Sequence, residues 1–413
     1  MRKIMSSLDI GYASIKLIVA EINKKKLYVL TSSIVNNDAV KKDMTIDYDI
    51  LEGIIKKLLS DAKEKLGIEI KKTLLTIPTD SASFTINRAR IDIKNEDNLI
   101  TVDDMIKVVN LSGKNVVQDN MELVNITPLY YTLDDSSKTD IPVNTFSRSL
   151  EVKSIITSSS KDDVYKYLRV LDNLGVSVVD ISYDVVGNYF AFKSDDMDTT
   201  CGIIIDIGYL STSISVYNKG VLVNTLKIKV GSLNVLKDIS YVYKISLDSA
   251  KGVYKKLGLG SSKNANNLEK IELKDNNGDK LIINQVNLSE IIESRVQEIL
   301  SMAKKQINTL TKRQISYIIC TGGIANIGDF DLNVLEIFGK NARIGYINTI
   351  GIRDTRYAST FGLIKWYDYN AKLKNYDYSI LNLEEQEEFS KEESEAKTSS
   401  NSIIGKVFDY FFE

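Results

Sequence analysis

The chain contains no histidine, and this one absence removes imidazole acid–base catalysis, Ser-His-Asp triads and histidine metal sites together. Cysteine is almost as scarce. Cys201 and Cys320 each sit inside a strongly apolar segment and are expected as a reduced, buried pair. No window approaches the roughly 18 uninterrupted apolar residues of a membrane-spanning helix. The opening stretch MRKIMSSLDIGYASIKLIVAE is broken by Asp9, Gly11 and Lys16, so it reads as neither a signal peptide nor a span, and the chain is expected in the cytoplasm. With 53 Lys+Arg against 55 Asp+Glu, no excess of positive charge argues for nucleic acid as a partner. A Walker A sequence is also missing: GLGSSKN (258–264) has glycines and a lysine without the spacing, and reads as a loop. Any chemistry must rest on carboxylates, lysines, backbone amides and a metal brought by a ligand.

What is present is an ordinary globular composition, 43% hydrophobic and 26% charged, in 413 residues, enough for two or more domains with their own cores. One internal echo organises it. LDIGYASIKLIVAE (8–21) and IDIGYLSTSISVY (205–217) share the frame Asp-Ile-Gly-Tyr-x-Ser, with aspartates at Asp9 and Asp206. In each copy an apolar strand runs into Asp-x-Gly, a strand leaves after a short turn, and a further partner strand follows: KKLYVLTSSIV in the first, GVLVNTLKIKV in the second. Two domains that begin alike point to duplication around a shared ligand.

Helical periodicity predicts helices over YDILEGIIKKLLSDAKEKLG, 102–117, 161–175, 236–258 and LSEIIESRVQEILSMAKKQINTL, with a last apolar helix over 357–369. Strands are expected over 72–78, 83–93, ELVNITPLYYTL, SLEVKSIITS and 176–183, and a hairpin turning at Asn277-Gly278. ISYIICTGGIANIGDF reads as a buried strand, a Gly-Gly turn and a helix start.

The two Asp-x-Gly hairpins carry the chemistry. A tight glycine turn lets backbone amides approach phosphate oxygens, and an aspartate at the strand end can hold a phosphate-bound Mg²⁺ through water. Thr321-Gly322-Gly323, after a third strand, suits close packing of an adenine or ribose against bare backbone. Alone, that Gly-Gly is equally well a plain strand–helix connector, and Asp-x-Gly is common in ordinary turns; the trio is the signal.

These three elements resemble the actin-like ATPase superfamily, and the FtsA family in particular, over nearly the whole chain. Asp9-Ile-Gly11 is similar to the first phosphate loop, Asp206-Ile-Gly208 to the second and Thr321-Gly322-Gly323 to the adenosine loop. The stretch VNITPLYYTLDDSSKTDIPV through SLEVKSIITS resembles the FtsA-type insertion, and LSEIIESRVQEIL the long helix of the second domain. The resemblance implies an α/β, actin-like (ribonuclease-H-like, duplicated) two-domain fold. Its first domain would take 1–75 and 160–198 with an inserted subdomain at 76–159. Its second would take 199–228 and 303–370 with a subdomain at 229–302. It implies ATP as ligand, with contacts at Asp9, Gly11, Tyr12, Ala13, Lys16, Asp206, Gly208, Ser211, Gly231, Lys255, Gly322 and Gly323, and Mg²⁺ at Asp9 and Asp206 through water.

The chain departs from the family where further glycines are usual after the second turn. Tyr209 and Leu210 stand there, then Ser211, and are expected to crowd the β- and γ-phosphates or push the loop outward. Lys251 replaces an expected acidic nucleotide contact. ATP is thus expected as an assembly ligand, hydrolysed slowly at most.

The tail forms the second signal. Residues 384–400 carry seven Glu against two Lys, so 371–401 is expected as a disordered acidic linker with a reach on the order of 30 Å. Beyond it, at 100° per residue, Ile403, Ile404, Val407, Phe408, Phe411 and Phe412 share one arc of about 180°. A helix over 402–413 either docks on its own body or a protein partner, or lies in the membrane interface, where the FtsA family carries its anchor. Its phenylalanines would each contribute on the order of 1.5–3 kcal/mol when buried. Lys406 is set against Asp409 and Glu413, so single tails are expected to bind weakly and polymers firmly.

The resemblance to the FtsA family implies a polymerising tether that holds FtsZ filaments to the cytoplasmic face of the membrane at the division septum. FtsZ would be met through the helix holding Arg295 and Glu298, and later division proteins through the inserted subdomain. The opening LDIGYASIKLIVAE also resembles PilM-like pilus-assembly proteins, though these tend to lack the linker and amphipathic end. A small-molecule kinase of the same fold would need a substrate-side base that the sequence does not display.

Overall fold

The computed structural model describes residues 3–23, 26–41, 45–95, 97–373 and Ser379. The helix expected at 402–413, and the linker expected at 371–401 apart from 371–373 and Ser379, lie outside the described residues.

The chain builds the same sheet twice. β1 (Lys3–Ile10), β2 (Ser14–Asn23) and β3 (Lys26–Asn36) form an antiparallel meander, which α1 (Tyr48–Leu66) connects to β4 (Lys72–Ile77). α1 starts on the Asp47 side chain, which accepts from Ile50 N, and ends at Gly67, whose positive φ of 73° suits the left-handed cap. Leu51, Ile55, Leu58 and Ala62 are its buried stripe.

After β4 the chain leaves for an inserted unit: β5 (Ser83–Asp92), α2 (Val102–Gly113), β6 (Met121–Thr132), β7 (Lys138–Thr139) and β8 (Ser149–Ser160). Its sheet runs β5-β8-β6-β7 and closes a small core of its own around Ile100, Val108, Leu150 and Val152. α3 (Lys161–Asn173) brings the chain back to β9 (Ser177–Tyr183), which completes a sheet of order β3-β2-β1-β4-β9, with β1, β4 and β9 parallel.

α4 (Asp184–Phe192) then leads into the second copy. β10 (Cys201–Ile207), β11 (Thr212–Asn218) and β12 (Val221–Ile228) repeat the meander; β15 (Tyr317–Thr321) and β16 (Ala342–Ile344) repeat the parallel pair, giving the order β12-β11-β10-β15-β16. Between β12 and β15 lie α5 (Ser232–Tyr243), α6 (Leu247–Leu257), the hairpin β13 (Lys270–Lys274) and β14 (Lys280–Asn284), and the 26-residue α7 (Gln285–Leu310). α8 (Phe330–Phe338) joins β15 to β16. The single helix expected over 236–258 is therefore two. Lys244 adopts a left-handed φ of 51°, and the Ser246 side chain accepts from Ser249 N to restart the helix. The Asn277-Gly278 turn forms as expected, with Gly278 at φ 91° and Asp275 accepting from the amides of Asn277 and Asp279.

Two helices carry the chain between the halves. α4 runs from the first sheet toward β10, and α9 (Ala358–Leu373) returns to pack on the first sheet. They touch backbone to backbone: a Cβ on Gly187 would fall 2.1 Å from Ser359 O, and one on Gly362 1.6 Å from Gly187 O. Cys201 and Cys320 are free and buried, as expected.

Candidate functional site

Both Asp-x-Gly turns close with the same bond. Gly11 N donates to Ser14 O at 3.1 Å, and Gly208 N to Ser211 O at 3.0 Å. In each, the turn's carbonyls are held from behind. Asn37 donates its side-chain amide to Gly11 O (2.8 Å) and its backbone amide to Ala13 O (3.1 Å). In the second copy, the first two amides of α5, from Ser232 and Leu233, donate to Gly208 O and Tyr209 O, each at 2.9 Å. With the carbonyls engaged, the amides of Tyr12, Ala13, Tyr209 and Leu210 find no acceptor among the described residues. Such paired turns make anion-binding concavities.

Tyr209 and Leu210 do not open the second turn, which keeps the closing bond of the glycine-poor first turn. Gly231 lies behind it rather than in the cleft: a Cβ there would come within 2.6 Å of Gly208 O and Tyr209 O, so its bareness lets α5 approach the turn.

The turns face one another across a cleft of about 430 Å³, within the usual range for small-molecule sites. Of the residues expected to contact nucleotide, Asp9, Gly11, Tyr12, Ala13, Lys16, Asp206, Gly208, Ser211, Lys255, Gly322 and Gly323 line it, and Gly231 does not. Arg295 and Glu298 lie elsewhere, on α7, where Arg295 makes a two-point ion pair with Asp238 of α5 (2.6 and 3.0 Å).

Four aspartates line the cleft, Asp9, Asp184, Asp206 and Asp354, and the first three sit in differing surroundings. Asp9 Oδ2 accepts from Lys16 Nζ (3.0 Å) and from Ser359 Oγ (2.7 Å). Asp206 Oδ2 accepts from Asn188 Nδ2 at 2.7 Å; burial pushes its carboxyl up, against the pull of Asn188 and Lys16. Asp184, at the start of α4, is pushed up to about 7 by burial, against the pull of Lys227. Burial alone would lower the Lys227 ammonium, but Asp184, Asp80 and Asp206 outweigh it and raise it. No group of three acidic or cysteine side chains among the described residues is close enough to hold a metal unaided. The donor set instead fits a hydrated divalent ion carried by phosphates, with Asp9 and Asp206 facing it from the two halves.

The Gly-Gly turn also lines the cleft. Gly322 sits at φ 95°, and a Cβ there would lie 2.4 Å from Ile207 O and 2.5 Å from Asp206 Oδ1, so it packs on the second turn's strand. Gly323 is open, with Arg356 3.7 Å from where a Cβ would be. Thr355 Oγ1 donates to Gly322 O at 2.7 Å, and Asn326 donates to Asp354 at 2.8 Å. This pins the glycine turn to the loop that enters α9. Lys251 and Lys255 of α6 also line the cleft.

Sequence reasoning missed Asp184, Asn188, Lys227 and Arg356. Asp184 and Asn188 are the only polar side chains of α4 (DVVGNYFAF) other than Tyr189, and polar groups in so apolar a helix were a usable signal.

A sequence profile described as cell division protein FtsA matches residues 203–362, which span the second meander through the Gly-Gly turn into α9. The chain is FtsA-like. It is 26% identical to cell division protein FtsA of Bacillus subtilis (strain 168) over 370 residues, covering 89% of this chain and 84% of that protein. Among solved structures, the FtsA-like chain superposes on the PilM-PilN type IV pilus biogenesis complex with a TM-score of 0.61 at 12% identity, covering 88% of this chain and 98% of that one. MreB5 of Spiroplasma citri bound to ADP gives a TM-score of 0.54 at 14% identity, covering 90% and 98%. These structural likenesses establish the actin-type α/β fold.

Proposed function

We propose that the chain binds ATP with Mg²⁺ in the cleft, assembles into actin-like polymers and tethers FtsZ filaments to the cytoplasmic face of the membrane at the division septum. The observation that carries the reading is the matched pair of turns, one from each sheet, whose unengaged amides line a single cleft. A phosphate chain lying between them would touch both halves, so nucleotide would fix the angle between the domains and with it the shape offered to the next subunit. A likeness to cell division protein FtsA over 89% of the chain supports the division role.

In this reading the phosphates bring Mg²⁺, which Asp9 and Asp206 hold through water. Lys16 neutralises charge in the first half and Lys227 in the second. The amphipathic segment 402–413 supplies the membrane contact, with polymerisation adding many weak tails into a firm one. The α7 surface around Arg295 and Glu298 would meet FtsZ, and the inserted sheet later division proteins.

Vesicle flotation with Mg-ATP tests the tether, using the full chain and one ending at Asn401. The reading predicts that FtsZ floats only with the full chain. Flotation of this protein without FtsZ would contradict the division assignment, and flotation of neither would contradict the anchor.

A further inference from the structure

Each half of the cleft presents one row of side chains across its meander, and the rows differ in where they place a lysine. In the first half, neighbours across the sheet are Asp9, Lys16 and Ile34; in the second they are Asp206, Ser213 and Lys227. The cation has moved one strand outward, from beside the aspartate to the far side of a serine. On the other flank, Asp206 pairs with Thr321, the residue before Gly322. At one strand spacing per step, Lys227 lies about 14 Å along the sheet from the Gly-Gly turn. A ligand with its nucleoside at Gly322-Gly323 and its phosphates beside the second turn would extend toward Lys227.

Lys227 already has a partner from the opposite half. Its Nζ donates to Asp80 Oδ2 at 2.9 Å. The two ends of this pair are unequal, since the Lys227 side chain is 16% exposed and that of Asp80 48%. Asp80 can return to water at small cost, whereas Lys227 is walled in, with Asp184 and Asp206 also bearing on it. Asp80 also occupies the neck of the inserted unit. Next to it, Ser81 Oγ is 2.8 Å from Ser159 Oγ and accepts from Ser160 N at 3.1 Å, binding the outgoing strand to the returning one.

We propose that Lys227 reads the terminal phosphate of a bound nucleoside triphosphate, exchanging Asp80 for it, and so releases the neck of the inserted subdomain from the second domain. The inference rests on the nucleotide reading of the cleft and assigns its regulation. A triphosphate reaches Lys227 and frees Asp80. A diphosphate stops short and leaves the Lys227–Asp80 bond across the cleft.

The test is isothermal titration of the full-length chain with Mg-AMPPNP and Mg-ADP, in wild type, Lys227→Met and Asp80→Asn, alongside hydrogen exchange at 78–82 and 158–161. Losing one charge-assisted contact should weaken AMPPNP about tenfold in Lys227→Met. Removing the competing carboxylate should tighten AMPPNP about threefold or more in Asp80→Asn. ADP affinity should stay within about twofold in both. Exchange at the neck should quicken with AMPPNP but not with ADP in wild type, and should be quick throughout in Asp80→Asn. Equal effects on the two nucleotides, or weaker AMPPNP binding by Asp80→Asn, would overturn the exchange while leaving the nucleotide reading intact. A wild-type chain that binds neither nucleotide would overturn both.

Discussion

Ser359 donates its hydroxyl to the Asp9 carboxylate across 2.7 Å, so the returning helix α9 begins on the aspartate of the first turn. One turn later in α9, Gly362 lies against Gly187 of α4. The site and the crossing between the domains are thus a single structure, and changes at the crossing should be felt in the cleft.

Gly362→Ala should be among the most damaging small substitutions in the chain. Its added methyl would fall 1.6 Å from Gly187 O, and backbone on both sides leaves it no room. A loss of about 3 kcal/mol or more in denaturant unfolding, or failure to fold, is expected. Gly53→Ala in α1, with nothing within 4 Å, should instead stabilise by about 0.5–1 kcal/mol.

The two glycines of the Gly-Gly turn should separate cleanly. Gly322→Ala meets a left-handed φ of 95° and contacts of 2.4 and 2.5 Å on the second turn's strand, so a loss of about 2–4 kcal/mol is expected. Gly323→Ala has its nearest neighbour at 3.7 Å and should change stability by less than about 1 kcal/mol. Thermal unfolding of the pair reads the difference directly.

Asp184 should impose a pH dependence. Burial pushes its carboxyl up to about 7, from the ordinary carboxylate value of 3.8, so between these pH values the folded chain holds a proton that the unfolded chain has lost. Stability from this group therefore falls as pH rises from about 4 to about 7 and is level above. Asp184→Asn should raise Tm at pH 8, leave it nearly unchanged at pH 4, and flatten the profile between.

Arg295→Ala should cost little stability. The ion pair with Asp238 is partly exposed, at 27% and 30%, so about 1 kcal/mol or less is expected in urea unfolding. A large loss of FtsZ co-flotation with so small a loss of stability would identify this surface as the partner site. Unchanged co-flotation would move the partner elsewhere.

The parts of the fold legible in the sequence were those with a repeated local pattern. The two Asp-Ile-Gly-Tyr-x-Ser frames foretold both meanders and both turns because strand, turn and strand are consecutive in the chain. The amphipathic pattern of α1 likewise gives three of its four buried residues, Leu51, Ile55 and Leu58. What stayed hidden depends on tertiary approach. Lys227 sits in a strand read only as the partner strand of the second hairpin, and its role comes from the tertiary approach of Asp80, Asp184 and Asp206. The break at Lys244 was missed because lysine gives no warning of a left-handed residue. Tyr209 and Leu210 are expected to crowd the phosphates or push the loop outward, yet the second turn closes with the same bond as the first.

Hydrogen exchange with and without Mg-ATP is the most direct measurement of the central claim, that one ligand bridges both domains. The account predicts slowed exchange at 10–14, 207–211 and 322–326 together, since a nucleotide in the cleft would occupy both turns and the Gly-Gly loop at once. Slowing at none of these segments, or at one alone, would contradict it.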